Sequence, residues 1–235
     1  MSEWDVIVVG GGNAAMSAAM SAREHGARVL LLERAPEEKR GGNSAFTAGA
    51  MRIVYNGVDD LAELLPDLTE DEKRNTDFGT YTEEMFFDDL GRITEFRADP
   101  DLAELLVKRS FPTLKWMRSK GIRFAPMYAR QAFKVDGRFK FWGGLTVEAW
   151  GGGPGLVESW YAIAEKNDVE VRYEARVVAL IADDSGVHGV RVRTRGRTEE
   201  IRGRTVILAC GGFEANAEWR TRYLGPGWDL AKVRG

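Results

Sequence analysis

Gly10-Gly11-Gly12-Asn13-Ala14-Ala15 separates an apolar run, Asp5–Val9, from an alanine- and methionine-rich stretch that carries no charge until Arg23. The order is glycine, any residue, glycine, any two, alanine. Such a turn brings backbone close to a pyrophosphate. Gly10 suits the tight turn, and the bare Cα of Gly12 lets phosphates approach the chain. Ala15 lets the following helix pack closely on the strand. The N–H groups of that helix's first turn then face the anion, with the helix dipole assisting. Glu33 stands 21 positions beyond Gly12, at the end of the next apolar run, with Arg34 behind it. An acid there accepts hydrogen bonds from the hydroxyls of an adenosine ribose. The chemistry is dinucleotide binding, and FAD and NAD share this fingerprint.

The elements that position these residues follow from periodicity. Asp5–Val9 reads as a buried strand, Asn13–His25 as a helix closed by Gly26, and Ala27–Glu33 as a second strand, together one βαβ unit. Arg40–Ala50 is a glycine- and serine-rich loop. Asn56–Asn75 is acidic, contains Pro66, and reads as a surface excursion. Asp99-Pro100-Asp101 predicts an N-cap with proline at the first helical position, and Leu102, Leu105 and Leu106 give an apolar face. Pro112 is expected to open another short helix ending at Gly121. Asp136-Gly137 predicts a two-residue hairpin turn inside FKVDGRFKF. Gly151–Gly155 forms a second glycine loop running into a helix to about Lys166. A three-stranded meander follows from Glu170 to Arg202, and Thr205–Phe213 reads as a separate apolar strand ending in paired glycines.

Composition sets bounds. Of 235 residues, 44% are hydrophobic and 29% charged, which is ordinary for a globular chain long enough to bury a real core. The net charge of −3 gives no reason to expect a nucleic-acid partner. One cysteine, Cys210, excludes an intramolecular disulfide and fits a reducing compartment. No apolar run approaches the roughly 20 residues of a membrane span. Glu3 and Asp5 are acidic where a secretion signal is basic, so the expectation is a soluble, cytoplasmic protein.

The remaining candidates read mostly as structure. His25 suits a helix C-terminus, and His188 reads as a surface residue in the meander. Two distant histidines make neither a triad nor a metal site. Cys210 is expected to be a small, inert residue in a buried strand. The pairs Asp59-Asp60, Glu83-Glu84 and Asp88-Asp89 read as solvated faces. Arg130, Lys134, Arg138 and Lys140 make a basic hairpin, which is either a solvated strand face or an attractor of polycarboxylates. The paired glycines between Trp142 and Trp150 mark either backbone beside a flat ring or packing glycines.

An N-terminal fingerprint followed by a meander, a second apolar strand ending in Gly-Gly, and the loop RGGNSAFTAG (Arg40–Gly49) favours FAD over NAD. The segments VIVVGGGNAAMSAA, GGNSAFTAGAMR, GGGPGLVESW, ARVVALIAD, GVRV and TVILACGGF, in that order along nearly the whole chain, resemble the flavoprotein family of fumarate reductase and succinate dehydrogenase. Within it the likeness is greatest to the tricarballylate-oxidising branch. The resemblance implies an α/β, Rossmann-like FAD-binding domain with a central parallel sheet and an added β-meander. It spans 1–235, with the fingerprint and flavin loop in 1–50, a helical and hairpin insertion in 56–150, and the glycine loop, meander and closing strand in 151–235. Gly10, Gly12, Asn13, Ala14 and Ala15 would line the pyrophosphate, and Glu33 with Arg34 the ribose. Gly42, Asn43, Ser44, Thr47 and Gly49 would run beside the phosphates and flavin ring. Val177 would meet the adenine through its backbone, while Ala209, Gly211 and Gly212 would close over the dinucleotide.

The same resemblance implies oxidation of a carbon–carbon single bond beside carboxylates, tricarballylate to cis-aconitate. It also implies a small polycarboxylate substrate, an iron–sulfur membrane protein as electron-transfer partner, and no membrane insertion of the chain itself. Reduction of an enoate such as fumarate, or action on a 3-ketosteroid, is the alternative. A non-catalytic FAD-binding or electron-transfer module is the alternative of another class. Two departures from the family matter. The loop after Glu33 lacks the histidine to which respiratory members attach FAD, so non-covalent FAD is expected. The family's substrate-clamping domain and catalytic arginine lie further along, whereas this sequence stops at DLAKVRG. The chain is therefore expected to be an N-terminal part, with no catalytic residue assigned in it and no turnover alone.

Overall fold

The computed structural model describes residues 4–233. Glu3, and the Arg234 and Gly235 that end DLAKVRG, lie outside the described residues. The chain divides into two compact units, Met1–Thr47 with Gly153–Gly235, and Ala48–Gly152.

In chain order the first unit opens with β1 (Trp4–Val9), α1 (Asn13–Glu24) and β2 (Val29–Leu32). The second unit holds β3 (Ala50–Arg52), α2 (Val58–Leu64), α3 (Glu70–Asn75), β4 (Thr76–Asp77), α4 (Glu83–Thr94), α5 (Pro100–Lys120), β5 (Phe124–Pro126), α6 (Tyr128–Gln131), β6 (Ala132–Val135), β7 (Arg138–Phe141) and β8 (Thr146–Ala149). The chain then supplies α7 (Gly152–Lys166), β9 (Glu170–Arg172), β10 (Arg176–Asp183), β11 (Gly186–Thr194), β12 (Arg197–Leu208) and α8 (Ala217–Leu224).

The first unit is built on one six-stranded sheet in the order β10-β11-β12-β1-β2-β9. β12, β1, β2 and β9 run parallel, while β10, β11 and β12 form the antiparallel meander. Ile7, Val9, Leu30 and Leu32 share a core cluster with Ala175, Val190, Val192 and Ile201. Val8 and Leu31 alternate to the opposite face, as the two-residue period of strands requires, and are equally buried. Ala15, Met16, Ala19 and Met20 are the buried side of α1, and the alanines keep that helix close to the sheet. Gly26, with φ +83°, ends the α1 turn, so the βαβ reading is met within a residue or two.

One sequence expectation needs merging. The third meander strand and the apolar run from Thr205 are a single strand, β12, whose first half pairs with β11 and whose second half pairs with β1. A buried β1 needs a parallel neighbour, and the meander supplies it without a break. β12 stops at Leu208, so Cys210 lies beyond the strand and is exposed, contrary to the buried reading. The glycines at 152, 153 and 155 belong to α7 itself rather than to a loop before it.

The second unit has two three-stranded sheets, β3-β8-β5 and β4-β7-β6, with α2, α4 and α5. Asn56–Asn75 is not a bare excursion. Leu61 and Leu64 are the buried side of α2, and Leu65 and Leu68 just after it are buried too, so this stretch adds to the core. Thr69 and Glu72 close a capping box on α3. Pro112 does not open a helix. It sits inside the 21-residue α5, where Val107, Leu114 and Met117 bury one continuous side across it. That continuous burial outweighs the cost of one missing backbone hydrogen bond, about 3 kcal/mol in an isolated helix. The β6–β7 turn has Asp136 at φ 50° and Gly137 at φ 81°, as a two-residue hairpin of this kind requires.

Candidate dinucleotide-binding site

Val9 is level with Leu32 on one side and Leu208 on the other. The residues that follow these strands, Gly10, Glu33 and Ala209, therefore emerge side by side at the carboxyl edge of the parallel sheet. That edge is where open α/β sheets bind ligands.

Gly10 donates its N–H to Leu32 O at 2.9 Å, and Ala209 donates to Val9 O at 2.9 Å, so the three chain ends are tied together. A Cβ on Gly10, at φ +114°, would lie 2.4 Å from Ala209 O. Only glycine fits there. Gly12 is the N-cap of α1 and offers no side-chain cap. Ser44 Oγ takes the N–H of Asn13 at 3.0 Å, and Asn13 Oδ1 accepts from Trp160 Nε1 at 2.7 Å. Ala14 is exposed at the same turn and Ala15 is buried.

Glu33 is buried at 7% exposure, although carboxylates seldom are without partners. Its Oε1 accepts the N–H of Ala35 at 2.8 Å. Its own carbonyl accepts from Ala175, so the chain entering β10 passes beside it and brings Val177 within two residues of that bond. Val177 itself is half-buried against the core cluster, next to a register shift in the β10–β11 ladder. Arg34 is exposed.

The loop after β2 lies against α7. Thr47 Oγ1 donates to Ser44 O at 3.0 Å, and Thr47 O accepts from Gly153 N at 3.0 Å. A Cβ on Gly153 would lie 2.4 Å from Ser44 O. Gly42 and Asn43 are exposed on this loop. Gly49 belongs to the second unit, where its carbonyl accepts from Ala149 N at 2.9 Å. Gly211 faces open space at φ +73°, and Gly212 lies against the Glu214 carboxylate.

Two glycines and several side chains at this site escaped the sequence reading. A Cβ on Gly11 would lie 2.2 Å from Tyr161 Oη and 2.4 Å from Glu33 Oε2. A Cβ on Gly41 would strike Val157 of α7. Trp160 and Tyr161 are buried on α7, and Arg40 covers the Tyr161 ring at 4.4 Å while pairing with Glu158 at 2.9 Å and hydrogen bonding Tyr173 Oη at 3.2 Å. Burial, and then the negative charge of Glu33, push the Tyr161 hydroxyl far above the ordinary tyrosine value. For Arg40, burial works against the charge, and its Tyr173 and Glu158 partners outweigh that and raise it. The one available signal was a third glycine at a position where the fingerprint tolerates any residue.

These residues fit the adenosine and pyrophosphate of a dinucleotide. The glycine turn leaves bare backbone at the helix N-terminus, Gly42 and Gly211 face open space, and the buried carboxylate keeps Oε2 at the turn. The other candidates stay structural. His25 Nδ1 is 2.7 Å from Ser21 O. His188 Nε2 is 2.8 Å from Asp183 Oδ1. In the second unit, Lys140 pairs with Asp77 at 3.2 Å, Arg138 donates to Thr76 O at 3.0 Å and Lys134 lies over the Phe139 ring at 4.8 Å, so most of the basic hairpin is engaged. Among the described residues no cluster of His, Cys, Asp and Glu is placed to hold a metal, and no helix is long and apolar enough to cross a membrane.

Residues 5–230 match the family described as FAD binding domain. The fumarate reductase (cytochrome) of Shewanella frigidimarina is 30% identical over 216 residues, covering 91% of this chain and 34% of that protein. The 3-oxo-5-alpha-steroid 4-dehydrogenase of Comamonas testosteroni is 28% identical over 200 residues, covering 84% of this chain and 34% of that protein. Among solved structures, the open conformation of a flavocytochrome c3 fumarate reductase has a TM-score of 0.71 at 24% identity, over 94% of this chain and 36% of that one. The chain thus spans about a third of the length of the curated relatives it matches. With its glycine turn, buried Glu33 and the end of β12 at one sheet edge inside that matched stretch, the chain belongs to the FAD-binding domain family.

Proposed function

We propose that this chain is the cofactor-holding part of a flavin-dependent oxidoreductase acting on a carbon–carbon bond beside a carboxylate, and that it holds FAD without a covalent bond. The observation that carries this reading is the level ending of β1, β2 and β12, which sets Gly10, Glu33 and Ala209 together at one edge. Gly10, Gly12, Asn13, Ala14 and Ala15 would hold the pyrophosphate, and Glu33 the adenosine ribose, with Arg34 exposed beside it. Gly42, Asn43, Ser44, Thr47 and Gly49 would follow the phosphates and ring. Val177 would meet the adenine, and Ala209, Gly211 and Gly212 would close the site. Bound FAD supplies hydride acceptance or donation. The absence of histidine between Glu33 and Gly49 supports the non-covalent reading.

The motif resemblance favours oxidation of tricarballylate to cis-aconitate, with electrons leaving to an iron–sulfur membrane partner. In that direction the substrate loses a hydride to the flavin and a proton to a base, and a carbon–carbon double bond remains. The second reading is enoate reduction, supported by the fumarate reductase among the relatives. The deciding experiment begins with flavin content. Purified protein should be yellow or take up added FAD, and acid denaturation should release the flavin into the supernatant. Colour retained by the precipitate would refute non-covalent binding. The protein encoded by the uninterrupted reading frame is then assayed with tricarballylate plus an oxidised dye, and with fumarate plus a reduced dye. Turnover only in the second assay would replace the dehydrogenase reading with the reductase one.

A further inference from the structure

Tyr161 is buried on α7, far in sequence from the fingerprint turn, yet its hydroxyl donates to Gly11 O at 3.2 Å. The same hydroxyl and Glu33 Oε2 crowd one point, the place where a Cβ on Gly11 would stand. A side chain at residue 11 would displace one or both. Glu33 Oε1 is already taken by Ala35 N–H, which leaves Oε2 as the carboxylate atom for a ribose hydroxyl.

We infer that Tyr161 is a positioning residue for the cofactor: its hydroxyl fixes the Gly11 carbonyl and the rotamer of Glu33, so that Oε2 is held ready for the adenosine ribose. This rests on the FAD reading given above. The tyrosine is itself held from behind. The Arg40 guanidinium lies 4.4 Å from its ring centroid, Tyr173 stacks at 6.0 Å, and Arg40 is tied to Glu37 at 3.1 Å and to Glu158 at 2.9 Å. Burial and the Glu33 charge keep the phenol protonated, so it acts as a donor throughout the ordinary pH range. Trp160, its neighbour on α7, performs the matching task one step along the turn by donating to Asn13 Oδ1.

The test is a double-mutant cycle on FAD affinity, read from quenching of flavin fluorescence, with Tyr161→Phe, Glu33→Gln and the double variant. Tyr161→Phe should weaken FAD binding roughly three- to tenfold, the effect of one buried hydrogen bond. In the Glu33→Gln background the same change should do markedly less, since the carboxylate oxygen crowded beside the hydroxyl, whose position it helps to fix, is no longer there to be positioned. Affinity for FMN, which lacks the adenosine, should not respond to Tyr161→Phe. Additive losses, or an equal loss for FMN, would mean that Tyr161 only supports the fold, and the inference would fall. If Tyr161→Phe does not fold, Arg40→Met serves instead, with a smaller FAD-selective loss expected and an unselective one overturning the idea. A parent protein that binds no FAD would sink the cofactor reading itself, a distinct outcome.

Discussion

Gly11 and Gly144 each leave room for a tyrosine, one in each unit, and the two tyrosines use that room differently. At Gly11 the missing Cβ admits the polar tip of Tyr161 together with a carboxylate oxygen. At Gly144, with φ +85°, it admits the Cβ and the ring edge of Tyr81, both at 2.9 Å. The first glycine serves a cluster of polar groups gathered at a sheet edge. The second serves aromatic packing, in which Arg52 lies over the Tyr81 ring at 4.8 Å and donates to Gly143 O. A glycine run therefore says that something comes close, and only the identity of the visitor tells whether it concerns a ligand. Of the pair beside Trp142, Gly144 meets the hydrocarbon of Tyr81, and Gly143 meets only the Arg52 guanidinium at 3.9 Å.

The largest effect expected from breaking this contrast is at Gly11. Gly11→Val should reduce FAD affinity by more than a hundredfold, because its side chain would displace Tyr161 Oη and Glu33 Oε2 together. Overpacking of this sort also destabilises by about 1–3 kcal/mol. Titration with FAD beside a thermal melt checks both halves. Retention of parental affinity would mean that the turn does not hold the cofactor.

Glu33→Ala comes next. It removes a charged acceptor, and such hydrogen bonds contribute about 1.5–3 kcal/mol, hence roughly ten- to a hundredfold in FAD affinity. It also orphans the Ala35 N–H, so a modest fall in melting temperature should accompany it even without flavin. A loss of stability with no loss of affinity would assign Glu33 to the fold alone.

Much of this was legible in the chain, for reasons that are local. The βαβ unit, the Asp136-Gly137 hairpin and the Asp99-Pro100 cap each rest on a few adjacent residues whose backbone preferences agree. The place of Glu33 beside the glycine turn was legible because a strand, a helix and a strand of ordinary length fix its distance from Gly12. What stayed hidden depends on partners remote in sequence. Tyr161 lies 150 residues from Gly11, and nothing in GLVESWY announces its acceptor. Pro112 was misjudged because burial of Val107, Leu114 and Met117 overrides a local helix breaker. Cys210 was misjudged because an apolar run does not say where its neighbour strand stops. β12 loses its partner after the Val9–Leu208 pair, and the chain leaves the sheet.

In the second unit, Gly144→Ala should lower stability by about 1–3 kcal/mol, from overpacking against Tyr81 added to a left-handed backbone. In a Tyr81→Ala background the ring's share of the overpacking should vanish, while the contact with the residue 81 Cβ and the backbone cost of roughly 1 kcal/mol remain. Denaturant midpoints of the four proteins decide it. Equal penalties in both backgrounds would show that the ring is not what requires glycine there.

The smallest expected effect distinguishes the two tyrosines by titration. The Tyr81 hydroxyl donates to Asp89 Oδ2 at 2.7 Å. Burial first, and then this bond, push it up to about 12. Its neutral form is therefore favoured by folding. The resulting stability is fully present below pH 10, the ordinary tyrosine value, and is lost as pH rises from there toward 12. Asp89→Asn removes the charge while leaving burial in place, so Tyr81 should ionise earlier but still above pH 10. Tyr161 owes its upward displacement to burial and to Glu33, and should not respond. Difference spectra of the tyrosinate ultraviolet band, taken between the parent and Asp89→Asn across alkaline pH, should show a single tyrosine moving. In Glu33→Gln the tyrosine that moves should be a different one, identified by its disappearance in Tyr161→Phe. If Asp89→Asn leaves the alkaline curve unchanged, burial alone holds Tyr81, and its hydroxyl has no more polar purpose than the ring edge packed on Gly144.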